Sequence, residues 1–540
     1  MRAIEETNDL RVKSFAGSSG VLLAFDVPRG ATQGLLGFAI RRIGGGPSRW
    51  LNGMLKFEGT APRGTDPVAT NVAPIQKFRW SDYSVKSNTS YRYRVRPVYG
   101  TPGSPDVREG AELSLRTSGA AGGKNIVTFN RAAAASQAFE RSFPYIDATM
   151  KAEQAMGNTP SLPQEAQVWL SRGLLEQILR FIDSAKGPGW ALDIAIYEYE
   201  LPDIVKAVRR AHRRGVHVRI VYHAKSGDPQ TSLNEVNVAG LPAASKRARR
   251  TSAIFHDKFI VLSRINGRGE AIAKSVLCGS TNFTENGVYR QANVVHVLKD
   301  ASLASTYERL FEFLFAGNSV GKTRQWIDRQ NVIDDASGSV FVGFSPRSEP
   351  DDLAAFASII DRAKRDVLFC TAFKLDPSVE AALLGQPNDP ILRFGLQNTR
   401  SSITGFHRDR TARFVASAFL NNGLEGFLKE STAKQRGNIL IHTKLVVVDF
   451  TSDTPTVISG SHNLGIRASH ANDENFLIVR GDADVADCYG VELMRFYDHY
   501  RFRWASKQFG SPPKLTVDDS WTERYFRPGL NQMDRLAFAG

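Results

Sequence analysis

Two apolar strands in this chain carry the same polar residues at the same spacing, and that repetition limits the fold more than any other feature. "FHDKFIVLS" sets His256 and Lys258 two positions apart, and "IHTKLVVVDF" does the same with His442 and Lys444. Residues at i and i+2 lie on one face of a strand. Each strand is followed by a second that ends in a small polar turn: "VLCGSTNFTENG", with Ser280 and Asn282, and "VISGSHNLG", with Ser461 and Asn463. A lone histidine on an apolar strand is more often a hydrogen-bonded core residue than a functional one. Recurrence of the whole set in one order argues for a duplicated unit with a use for it.

The flanking sequence repeats too. "ALDIAIYEYELPDIVKAVRRAHRRGVHVRIVYHA" reads as strand, helix, Gly215 at the helix end, and strand. "DVLFCTAFKLDPSVEAALL" reproduces the opening strand, the turn proline (Pro202 against Pro377) and the following helix. β-α-β order with apolar strands predicts a mostly parallel or mixed sheet covered by helices. A chain of 540 residues also exceeds what one core can serve.

Residues 1–118 differ, with short strands separated by Gly, Pro, Asn and Ser, as in an all-β sandwich. In "YRYRVR", Tyr91, Tyr93 and Val95 fall on one face and Arg92, Arg94 and Arg96 on the other, a core side and a solvated side. The Trp80 strand followed by Y-x-Y-x-V resembles a fibronectin type III domain. Residues 119–164 read as a small-residue linker, "TSGAAGGKN", and an alanine-rich helical segment. Residues 165–335 and 336–540 then hold the two copies, the second with a C-terminal extension.

The paired H-x-K and G-S-x-N sets resemble the phospholipase D superfamily, whose signature is two H-x-K-x4-D motifs, each followed by G-S/G-x-N. The resemblance covers about residues 165 to 510. It implies an α/β fold of two duplicated phospholipase D-like halves around one active site, here preceded by the all-β sandwich. It also implies phosphodiester cleavage through a phosphohistidine, with no metal and no other cofactor. Elementary chemistry agrees. A phosphodiester is an anion, so Lys258 and Lys444 would supply charge and Ser280, Asn282, Ser461 and Asn463 would supply donors to its oxygens. Two imidazoles on opposite sides suit an in-line displacement, one attacking phosphorus and one protonating the leaving oxygen.

Departures from that pattern make the halves unequal. Asp449 completes the second motif as structural support, whereas Ser263 stands at the matching place in the first. The family's acid, which orients the opposite histidine, is retained as Glu474 in "NDENFLIV", while "RQANVVHV" has Ala292 where the acid is expected. His256 then keeps a carboxylate partner, which favours it as nucleophile and His442 as acid. The remaining histidines, including His407, His462 and His470, have no repeat partner and are weak candidates.

The net charge of +14 favours anionic partners. Beside the first motif, Lys246, Arg247, Arg249 and Arg250 form a basic loop that could follow a polyanionic backbone. Nucleic acid is therefore the favoured substrate, making the chain a nuclease. A phospholipid membrane surface, cleaved as by a lipase, is the alternative, and a degenerate binding protein the third reading. The β-sandwich could bind a partner protein. Three cysteines without a C-x-x-C pair, no apolar N-terminal run and no long apolar stretch lead to the expectation of a cytoplasmic protein without a transmembrane segment.

Overall fold

A computed structural model describes all residues except 1, 8, 61–65, 120–122, 132–137, 140–141, 158–160, 335–337, 387–388, 399–401, 408–409, 416–440 and 509–512. The two strand-to-helix turns form for local reasons. Pro202 opens the helix Pro202–Arg213, where its missing N–H costs nothing. Asp203 lies in the first turn and Arg210, His212 and Arg213 in the last, matching the helix dipole. Gly215, at φ +89°, carries the chain away beyond the helix end. Pro377 likewise opens Pro377–Leu384, with Asp376 accepting from the Ser378 amide as N-cap and Gly385 at φ +65° closing it.

These units build two mixed sheets. The first runs, in spatial order, Asn125–Phe129, Val294–Leu298, Ala271–Gly279, Lys258–Ile265, Trp190–Ile196, His217–His223 and Lys246–Arg249. The second runs Val340–Ser345, Glu474–Arg480, Thr456–Gly460, Leu445–Val448, Asp366–Ala372, Leu392–Asn398, Ser402–His407 and Arg410–Val415. In both, one central strand pairs parallel on one side and antiparallel on the other: Trp190–Ile196 in the first and Asp366–Ala372 in the second. Val261, Val276 and Cys278 of the first sheet share a buried core with Leu368, Cys370 and Val447 of the second. Tyr307 from the helix Ala301–Phe315 and Tyr489 and Phe496 from Ala483–Gln508 fill the same core. Asn125–Phe129 was expected to be linker; its alternating "NIVTF" instead pairs antiparallel with Val294–Leu298 as an edge strand.

Besides a two-stranded ribbon of Asn52–Gly53 and Val68–Ala69, the N-terminal residues form two antiparallel sheets, one of four strands and one of five. They share a core in which Val12 and Phe25 meet Phe38, Tyr93 and Val95. Arg92 and Arg96 face outward and pair at 3.0 Å with Glu112 and Glu109. Trp521 and Tyr525, from the far end of the chain, lie in this core, and the Trp521 indole donates to the Leu35 carbonyl at 2.8 Å.

The basic segment is not a loop. Lys246–Arg249 is an edge strand paired parallel with His217–His223. Arg249, 3% exposed, makes a two-pronged pair with Asp473 at 2.8 and 3.0 Å and donates to Thr323 at 3.0 Å. It is therefore withdrawn from any polyanion track and ties the first sheet to the residue before Glu474. Lys246, Arg247 and Arg250 donate to the Val238 carbonyl, the Phe315 carbonyl and Glu235 at 3.3, 2.8 and 3.3 Å.

Removing one partner of a buried pair leaves the other charge stranded. Arg249→Met should lower the unfolding free energy by about 3–5 kcal/mol in urea titrations. A loss below about 1 kcal/mol, the range of an exposed pair, would contradict that role.

Candidate active site

His256 and His442 meet between the two sheets, with ring centroids 6.3 Å apart and planes inclined at 68°. Both are buried, and each is held from the opposite half. The His256 amide donates to the Asp473 carbonyl at 2.9 Å, and the His442 amide to the Ala292 carbonyl at 3.1 Å. His256 Nδ1 donates to Glu474 Oε2 at 2.6 Å. His442 Nδ1 donates to Asn293 Oδ1 at 2.9 Å. With Nδ1 occupied in both rings, Nε2 is the nitrogen left for chemistry.

These backbone contacts correct the sequence alignment by one residue. Asp473 pairs with His256 as Ala292 pairs with His442, so the counterpart of Glu474 is Asn293, not Ala292. Serine contacts agree: Ser461 Oγ donates to Glu474 Oε2, and Ser280 Oγ to Asn293 Oδ1, both at 2.8 Å. His442 therefore has an orienting acceptor, but a neutral one. The two serine protons are given to these acceptors, so Ser280 and Ser461 support the histidines instead of offering free donors to a phosphate. Reading "ANVV" against "DENF" by strand pairing, without matching the shared Asn, would have revealed Asn293.

The lysines are placed with equal regularity. Lys258 Nζ donates to the His256 carbonyl at 2.7 Å and Lys444 Nζ to the His442 carbonyl at 2.6 Å. Asn282 Nδ2 donates to Glu198 Oε2 at 2.5 Å, a carboxylate the sequence reading did not single out. The side-chain carbonyls of Asn282 and Asn463 are buried without a hydrogen-bond partner among the described residues. Tyr197 packs its ring 5.4 Å from that of His256. Asp449 accepts from the amides of Lys364 and Arg365 at 2.8 and 2.7 Å, closing a turn away from the histidines. Ser263, its counterpart, donates to Glu308 at 3.1 Å. His462 pairs with Asp352 at 3.1 Å and does not join the pair of histidines.

Burial dominates the electrostatics. It lowers the His256 pKa to about 4, against the raising effect of Glu474, with the two lysines adding to the drop. Burial and the Lys444 and Lys258 charges hold His442 well below its ordinary value. Lys258 is lowered by burial to about 8, opposed by Glu474 and Glu198. Glu474 is buried, which opposes ionisation, yet His256 and the charges around it keep its carboxyl below the ordinary range. Among the described residues, no group of three or more His, Cys, Asp or Glu side chains is arranged to hold a metal ion. No described helix is long and apolar enough to cross a membrane.

A group that must carry a proton loses its function as pH rises through its pKa. If His442 acts as the acid that the resemblance implies, its lowered pKa should make kcat/KM climb as pH falls from 8 toward 5, until His256 itself gains a proton near pH 4. Asn293→Asp puts a carboxylate on His442 and should move the alkaline limb up by about 1–3 pH units. An unmoved limb in the pH–rate profile would show that His442 does not set it.

One family model covers part of the first half of this arrangement. The family described as cardiolipin synthase, PLD-like domain, matches residues 178–315, which include His256, Lys258, Asn282 and Asn293. The mitochondrial cardiolipin hydrolase of Chlamydomonas reinhardtii is 30% identical over 137 residues, covering 25% of this chain and 56% of that protein. The mitochondrial cardiolipin hydrolase of Xenopus tropicalis is 26% identical over 129 residues, covering 23% and 54%. The chain thus spans about half the length of the curated relatives it matches. Among solved structures, the phospholipase D family member Nuc of Salmonella typhimurium is 27% identical, with 26% of this chain and 84% of that chain covered and a TM-score of 0.21. Residues 178–315 form a phospholipase D-like domain.

Proposed function

We propose that this chain is a metal-independent phosphodiesterase that works through a phosphohistidine, with its two sheets acting as duplicated halves of one site. The observation that carries the reading is the facing pair of Nδ1-anchored imidazoles with a buried lysine beside each. His256 Nε2 attacks phosphorus and forms an N–P bond. The P–O bond to the departing alcohol breaks, and His442 gives that oxygen its proton. His442 then takes a proton from water, whose oxygen attacks phosphorus and expels His256, releasing a phosphomonoester. Lys258, Lys444 and the amides of Asn282 and Asn463 neutralise the phosphoryl oxygens. Glu474 makes His256 the more basic of the two rings, because a carboxylate stabilises the developing imidazolium and the Asn293 amide does so less. A bound phosphate anion raises the pKa of His442 and so recharges the acid as substrate arrives.

The net charge of +14 supports nucleic acid as substrate. With Arg249 buried, contacts along a strand would fall to Lys246, Arg247 and Arg250 at the sheet edge. Phospholipid is the second reading, favoured by the names of the two relatives. We assign the N-terminal sheets a fibronectin type III-like sandwich that recruits substrate or a partner protein.

Purified protein should cut plasmid, single-stranded DNA or RNA in excess EDTA, and orthovanadate or tungstate should inhibit it. Cleavage of cardiolipin or phosphatidylcholine vesicles alone would select the lipid reading, and a strict need for added Mg²⁺ would sink the mechanism. His256→Ala should abolish turnover and any acid-labile phosphohistidine. His442→Ala should still trap the adduct from a nitrophenyl diester. Glu474→Gln should lower kcat about 10²-fold with little change in KM. An adduct on His442 in the His256→Ala variant would reverse the two roles.

A further inference from the structure

Phe373 sits at the mouth of the site in a backbone conformation that bulky residues avoid. Its φ is +69°, a left-handed geometry that costs roughly 1–3 kcal/mol. Its ring is left 37% exposed. Gln397 fixes the turn by donating to the Phe373 carbonyl at 3.1 Å. The ring stands at 86° to that of His442, with centroids 6.3 Å apart, and the Lys444 amine lies 5.8 Å from its centre.

The same position in the first half is Glu198. Pro202 and Pro377 set the correspondence, and the backbone contacts agree: Leu201 donates to the Phe283 carbonyl at 2.7 Å as Asp376 does to the Leu464 carbonyl at 2.9 Å. The mouth is thus polarised, with a carboxylate on the His256 side and an exposed aromatic ring on the His442 side. In-line displacement places the departing oxygen opposite the nucleophile, beside His442. Whatever carries that oxygen away meets Phe373. A neutral planar ring can stack on that open aromatic face.

We propose that Phe373 is the platform of a leaving-group subsite, stacking the base of the nucleoside that departs from the cleaved phosphodiester. This rests on the assignment of His256 as nucleophile and on nucleic acid as substrate.

The test compares two diesters with the same leaving sugar, one bearing a base and one abasic. Wild-type protein should favour the base-bearing diester by about ten-fold in kcat/KM, as expected for one stacked base. Phe373→Ala and Phe373→Leu should bring that ratio close to one, chiefly through KM, and Phe373→Tyr should restore it. A ratio near one in wild type, or the wild-type ratio persisting in Phe373→Ala, would overturn the platform while leaving the nuclease assignment standing. If wild type cuts neither diester but cuts bis(p-nitrophenyl) phosphate, the nucleic-acid reading fails. The platform is then judged on that substrate's aromatic leaving group: a KM raised at least about five-fold in Phe373→Ala and recovered in Phe373→Tyr supports it, and equal KM values overturn it. Cleavage of phosphatidylcholine that is weakened in Phe373→Ala would mark a cation site instead and overturn the stacked base.

Discussion

The 2.6 Å bond from His256 to Glu474 joins residues 218 positions apart, and the site is organised around it. Glu474 also accepts from Ser461 at 2.8 Å and Asn472 at 3.1 Å, so its carboxylate is held while fully buried. The preceding residue, Asp473, pairs with both the His256 backbone and the Arg249 side chain. One short segment of the second sheet therefore aims the first histidine, fixes its tautomer and anchors the edge of the first sheet. Neither half can present a finished histidine without the other.

A burial penalty runs through this arrangement. Two lysines and two imidazoles are closely grouped out of water, and desolvation pushes all four toward their neutral forms. Glu474 and Glu198 offset part of that for the lysines. Under the mechanism proposed above, a bound anion would return charge to the lysines and His442, while His256 stays neutral for attack.

Much of this was legible because it is periodic or local. The i, i+2 spacing puts histidine and lysine on one strand face, and proline at the first helical turn marks both strand-to-helix joints. What escaped reading depends on pairing between distant strands. Asn293 was hidden by a one-residue offset that only the His442–Ala292 backbone contact resolves. Arg249 looked like part of a surface run because its partner lies 224 positions away. The proline alignment already sets Glu198 opposite Phe373, but the two share no chemistry, and nothing local in the sequence brings either to the histidines. Asn125–Phe129 was too short to separate from the linker around it.

The seating of Trp521 and Tyr525 in the N-terminal core bears on how the protein is made. Trp521 and the Leu35 carbonyl it contacts are 486 residues apart. At about 5–20 residues per second, roughly 25–100 s pass between their synthesis. During that interval the first β unit emerges from the ribosome with part of its apolar interior uncovered. This unit is thus completed only by a segment made long after it, so vectorial synthesis leaves part of its core open until that segment arrives.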